Sequence, residues 1–169
     1  MKNIFLLGFM GSGKSVVGKR LSRMLKREYV DMDKVIEDRT GMSIRDIFSV
    51  YGEDYFRRKE KELLKEIGGK GGKVVATGGG VVISEENWKV LKKGITIYLK
   101  ISSEEAWKRL KEVEDRPLLL DKDRKKRIES LLQERESFYE KANFIVSSEG
   151  RSIEDVVDEI IGIIQNERN

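Results

Sequence analysis

The chain has 169 residues, 34 basic and 30 acidic, for a net charge of +4, and contains neither cysteine nor histidine. That length suits one domain around a single hydrophobic core. The missing residue types exclude disulfides and thiolate chemistry and leave proton transfer to carboxylate, Lys, Tyr or water. No span approaches the roughly 18 consecutive apolar residues that cross a bilayer. No basic stripe interleaved with aromatics marks a nucleic-acid surface either.

The first predicted element is a strand over Asn3–Leu7. It is entered directly from Met1 with no apolar leader, so a cytoplasmic location is the expectation. Residues 8 to 15 then read Gly-Phe-Met-Gly-Ser-Gly-Lys-Ser, matching G-x-x-x-x-G-K-[ST]. A helix is predicted over Lys14–Lys26. Strand, loop and helix N-terminus in that order turn successive backbone N–H groups and the positive helix end toward one anion. Gly11, Ser12, Gly13, Lys14, Ser15 and Val16 form the candidate nucleotide-binding set. Lys14 can reach the β- and γ-phosphates of a nucleoside triphosphate, and the Ser15 hydroxyl can coordinate Mg²⁺.

A second strand over Tyr29–Asp31 runs into Asp31-Met32-Asp33. Strand alternation would send both carboxylates to one face, one toward a hydrated Mg²⁺ and one toward an attacking hydroxyl. The plain alternative is that Asp33 caps a helix beginning near Lys34. Helices are predicted next over Ser43–Tyr51 and Glu53–Ile67, then a flexible loop, Gly68 to Gly72. A third strand, Lys73–Ala76, delivers Thr77 and the run Gly78–Gly80. That run exposes several backbone amides at the binding edge, whereas the earlier glycine loop should sit at the opposite edge.

Further on, helices over Ser84–Lys93, Ser103–Lys111, Asp123–Ala142 and Ser152–Gln165 alternate with strands Ile95–Lys100 and Asn143–Ser147. The alternation implies a parallel sheet covered on both faces. In the last helix Ile153, Val156, Val157, Ile160, Ile161 and Ile164 form one apolar stripe, read as core. The run Arg124–Arg127, the most basic segment, reads as a solvated helix face. Two segments fall outside the repeating core, 33–60 and 112–123. Insertions at the carboxyl edge of such a sheet suit a substrate cradle and a closing lid. Three arginines stand in or near them, Arg57, Arg116 and Arg135. Convergence of such forks would suit an anionic substrate, while each alone reads as an ordinary surface residue. Glu60, one turn from Arg57, either orients it or forms a plain surface pair.

In order, G-x-x-G-x-G-K-S, D-x-D, G-E-x-x-F-R-x-x-E, G-G-G, R-P-L-L and R-x-x-x-Y stand at 8–15, 31–33, 52–60, 78–80, 116–119 and 135–139. With this set the chain resembles the shikimate kinases, within the nucleoside-monophosphate-kinase-like P-loop group, from Ile4 to about Ile164. The resemblance implies a three-layer α/β/α fold with five parallel strands in the order 2-3-1-4-5. It implies ATP-dependent phosphorylation of the shikimate 3-hydroxyl with Mg²⁺, a step toward chorismate and the aromatic amino acids. By that resemblance Asp33 binds the ring hydroxyls and serves as base, Arg57 and Arg135 hold the shikimate carboxylate, and Gly79 touches the substrate. Lys14 and Arg116 meet the ATP phosphates, Ser15 and Asp31 serve the metal, and Arg151 lies against adenine. The expected partner is this small molecule, with no nucleic acid and no membrane, and the expected state is a monomer. Two positions depart from the family pattern: Val16 stands where a second hydroxyl is usual, and Ser137 where a proline is common. A gluconate or nucleotide kinase on the same scaffold, or a silent nucleotide-binding regulator, are the competing readings.

Overall fold

The computed structural model describes residues 1–113, 116–119 and 122–167. Strands β1 (Ile4–Leu7), β2 (Glu28–Asp31), β3 (Lys73–Ala76), β4 (Ile95–Lys100) and β5 (Phe144–Ser147) form one sheet in the order β2-β3-β1-β4-β5. Every neighbouring pair is parallel, as Ile4 opposite both Val74 and Ile95 illustrates. This is the order the resemblance implied.

The central strands show why the sheet needs cover on both faces. Side chains alternate along a strand, so Ile4 and Leu6 enter one core with Ile95, Ile97 and Leu99, while Phe5 and Leu7 enter the other with Tyr98. The first core is closed by α1 (Lys14–Leu25) and α8 (Ile153–Asn166), through Val17, Leu21, Val156, Val157, Ile160 and Ile164. Ile161 packs only partly and Ile153, in the first turn, is 39% exposed, so the expected stripe is narrower than its sequence suggests.

The second core takes α4 (Glu53–Gly68), α5 (Glu85–Leu91) and α7 (Arg124–Tyr139). Between β2 and α4 stand α2 (Met32–Thr40) and α3 (Ile44–Tyr51), which occupy the segment expected to be an insertion. Helix α6 (Ser103–Leu110) follows β4. Of the expected lid over 112–123, residues 114, 115, 120 and 121 lie outside the described residues. Among the described residues no helix is long and apolar enough to cross a membrane.

The two ends of the sheet differ in kind. At the amino end, buried Asn3 donates to the carbonyls of Ile67 (3.1 Å) and Lys70 (2.8 Å) and accepts from Lys73 N (2.9 Å). One side chain thus ties the 68–72 loop beneath the sheet, the edge expected for it. All the chemistry-bearing loops lie at the other end, where parallel strands present their carboxyl termini.

Candidate active site

The phosphate loop leaves β1 and enters α1 through Gly13, the helix N-cap, whose φ of 94° a side chain rarely tolerates. Lys14 folds back over the loop, donating from Nζ to Gly8 O (2.7 Å) and Phe9 O (2.9 Å). Two of its three donors are thereby fixed and the third is left for a ligand. Burial pulls its pKa down to about 8; Asp33 and Asp31 resist the fall, Arg116 and Arg135 deepen it. Ser12 is fully buried, with its Oγ unpartnered, and Gly11 lends its carbonyl to Arg109 (2.8 Å). Val16 lies half exposed on the first turn of α1.

The acidic pair is arranged differently from the strand-alternation expectation. β2 stops at Asp31, and Asp33 already lies in the first turn of α2. Asp31, not Asp33, caps that helix, its Oδ1 accepting from Lys34 N (3.3 Å). Its other oxygen accepts from Ser15 Oγ (2.9 Å). A hydroxyl and a carboxylate so placed offer hard oxygen donors of the kind Mg²⁺ takes. Relieved of capping, Asp33 has its Oδ1 buried without a hydrogen-bond partner. Its pKa is raised, by burial first and by Asp31 next, while Lys14, Arg116 and Arg57 hold it down.

Beyond Asp33, two helices each bring a charge along an apolar stripe. On α4 the buried positions are Phe56, Glu60, Leu63, Leu64 and Ile67. On α7 they are Ile128, Leu131, Leu132, Arg135 and Tyr139. Helical spacing therefore carries Glu60 and Arg135 inward with their apolar neighbours. Glu60 is 0% and Arg135 3% exposed. Buried charges need partners. Glu60 Oε1 accepts from Arg57 Nη1 (2.9 Å), and Glu53 accepts from Arg57 Nη2 (3.2 Å). Burial works against the Arg57 charge, but the two glutamates outweigh it and raise its pKa. Glu60 itself is raised by burial in spite of Arg57. Its Oε2, like Arg135 Nε, is buried without a hydrogen-bond partner.

The glycine run provides the space in which these groups meet. A Cβ on Gly80 would lie 2.4 Å from Arg57 Nη2, one on Gly78 2.4 Å from Glu60 Oε2, and one on Gly79 3.4 Å from Arg135 Nη1. A side chain at Gly78 or Gly80 would push into the Glu60 carboxylate or the Arg57 guanidinium, whereas one at Gly79 would only touch Arg135. Beneath the run, Tyr139 donates its hydroxyl to Gly79 O (2.5 Å) and stacks on Tyr98 at 5.0 Å. Asp33, Arg57, Arg116, Arg135 and the glycine run line one pocket, floored by Met10 and walled by Phe48 and Phe56. Arg57 and Arg135 thus converge inside a cleft rather than facing opposite surfaces. Arg151 stands apart, at the carboxyl end of β5, where it donates to Ser147 O (3.0 Å) and Asp155 O (3.1 Å) and pairs with Glu159.

Three features escaped sequence reading. Arg109 on α6 bridges Gly11 O and Ser148 O (3.4 Å), a span visible only once β1 and β5 are assembled. Tyr139 was part of a motif without a stated role. The basic run is the third, because Arg124 and Arg127 turn from solvent toward backbone carbonyls.

The comparisons with known proteins agree with one another. A family model described as shikimate kinase matches residues 10–165. A shikimate kinase of Thermodesulfovibrio yellowstonii is 48% identical over 162 residues, covering 95% of this chain and 94% of that protein. The solved shikimate kinase of Acinetobacter baumannii, in complex with shikimate, superposes with a TM-score of 0.95 at 34% identity, covering 99% of this chain and 94% of its own. The enzyme from Aquifex aeolicus gives 0.86 at 39% identity, with 98% of each chain covered.

Proposed function

The chain belongs to the shikimate kinase family, and from that premise we propose that its cleft transfers the γ-phosphoryl group of ATP to the 3-hydroxyl of shikimate. One observation carries the reading: two guanidinium groups, Arg57 and Arg135, share a pocket with Asp33 and Arg116 at the mouth of the phosphate loop. The chemistry suits a carboxylate that also bears hydroxyls. Paired forks hold the carboxylate, Gly79 lies under the ring, and Asp33 meets the hydroxyl to be phosphorylated.

On this reading the acceptor is anchored at its far end, so that the hydroxyl faces the phosphoryl group in line. Asp33, with its raised pKa, accepts the hydroxyl proton as attack proceeds. Lys14 and Arg116 neutralise charge building on the transferred and leaving oxygens. Ser15 and Asp31 would hold Mg²⁺. Among the described residues no group of three or more acidic, histidine or cysteine side chains is gathered, so water and phosphate would supply the remaining oxygens. A Mg²⁺ held there would supply positive charge against that of the phosphates. Gly11, Ser12, Gly13 and Val16 would lie along the phosphate tail, and Arg151 beside the base once released from Glu159.

The reading is tested by ADP release with and without shikimate. Release should depend on shikimate, and Arg57→Ala should raise the shikimate KM about 10- to 100-fold, the worth of a charge-assisted hydrogen bond. An unchanged KM removes Arg57 from the substrate clamp. Preference for gluconate or CMP over shikimate overturns the substrate itself.

A further inference from the structure

Arg124 occupies a place that its own helix does not favour. It is the first residue of α7, whose opening turn holds no acidic residue. A cation at a helix N-terminus meets the positive end of the dipole. Its hydrogen bonds explain the position. Nε donates to Leu119 O (3.2 Å), and Nη1 donates to Leu110 O (2.9 Å), Lys111 O (3.3 Å) and Val113 O. One guanidinium thus gathers carbonyls from both sides of Arg116: the end of α6, where a cation is welcome, and the close of the turn over Pro117–Leu119.

The turn is held from within as well. Leu119 N donates to Arg116 O (2.9 Å), and the Leu119 side chain is fully buried. One helical turn on, Arg127 Nε donates to Leu118 O (3.3 Å). The same helix, α7, carries Arg135 into the pocket. A rigid element bearing one clamp of the acceptor is therefore fastened to the backbone that carries Arg116.

We infer that Arg124 is a positioning residue: by clasping the backbone before and after Arg116, it sets that guanidinium relative to the phosphate loop and to Arg135. The inference rests on the reading of Arg116 as a phosphate contact. Arg124 touches neither substrate; it acts through Arg116. A planar fork suits several carbonyls at once, which a lysine ammonium on a flexible stem does not reproduce.

A double-mutant cycle in kcat, with ADP release followed over a range of shikimate concentrations at saturating ATP, tests this. Arg124→Ala should lower kcat about tenfold, as a misplaced charge-stabilising group does, with the shikimate KM within about twofold of wild type. Arg124→Lys should fall between the two. In an Arg116→Ala background the same substitution should lower kcat by less than about twofold, because groups acting in series are not additive. An equal loss in both backgrounds makes Arg124 a local structural tie and overturns the inference, as does a wild-type kcat in Arg124→Ala. A wild-type kcat in Arg116→Ala alone instead overturns the phosphate reading of Arg116, and this inference with it. Thermal melts establish that each variant is folded at the assay temperature; if Arg124→Ala is not, the cycle is read with Arg124→Lys, where the same outcomes decide.

Discussion

Lys14→Ala is expected to lower kcat by about a thousandfold, in the range measured for losing a preorganised charge at a transition state. The ammonium is held by the Gly8 and Phe9 carbonyls at 2.7 and 2.9 Å, so little reorganisation is needed when phosphate arrives. Lys14→Arg should be nearly as damaging, since a longer planar group cannot fold back onto those two carbonyls. The lowered pKa adds a pH signature. In the free enzyme Lys14 is charged below about 8 and loses its proton above it. kcat/KM for ATP should therefore fall on the alkaline side with a midpoint near that value, since this ratio reports the free enzyme. With phosphates bound, the ammonium gains a negative partner that favours its charged form. The kcat profile should accordingly stay level to higher pH. Coincident alkaline limbs in the two profiles would detach the titration from Lys14.

Asp33→Asn is expected to lower kcat by about 10² to 10⁴, the contribution of a positioned proton acceptor. The substitution keeps size and one acceptor oxygen while removing basicity, so shikimate should still bind. Burial first, and Asp31 second, raise the pKa of this carboxyl, against the pull of Lys14, Arg116 and Arg57. A protonated Asp33 cannot accept a proton. Activity should then disappear as pH falls through a value above the usual carboxylate range, and remain above it. The acid limb of kcat/KM for shikimate should be absent in the Asn variant. Retention of wild-type kcat by Asp33→Asn would leave Asp33 an orienting group and move the proton to solvent.

How far the sequence foretold this arrangement depends on the distance over which each signal acts. The phosphate loop is local: glycines, Lys14 and Ser15 at fixed spacing admit one strand–loop–helix geometry, and the structure has it. Strand alternation misjudged the next step, because β2 ends at Asp31 and its side chain takes the helix cap at Lys34 N. Asp33 still reaches the cleft, by the first turn of a helix instead of the end of a strand.

The burial of Glu60 and Arg135 is legible in the sequence. Each interrupts an apolar helical stripe with a charge, between Phe56 and Leu63 on α4 and between Leu132 and Tyr139 on α7. A stripe position that buries a charge calls for a partner, and at the sheet's carboxyl edge that partner belongs to a site. Arg109 and Arg124 gave no such warning. Both bond to carbonyls remote in sequence, and pattern reports side-chain type while saying nothing of which backbone oxygens lie within reach. The basic run at 124–127 reads as a solvated face for that reason.

The glycine run shows a second limit. From sequence the run reads as amide exposure toward a ligand; in the structure the missing Cβ atoms of Gly78 and Gly80 also make room for Glu60 and Arg57. A small-residue signal marks where space is needed without naming the occupant.

The most direct measurement is a crystal structure of the chain with shikimate and ADP bound. The carboxylate should lie within about 3 Å of the Arg57 and Arg135 guanidinium groups, with the 3-hydroxyl turned to Asp33 and the nucleotide phosphates on the loop before α1. Shikimate bound outside the Arg57–Arg135 pocket, or lying in it with its carboxylate turned toward the phosphate loop, would contradict the assignment.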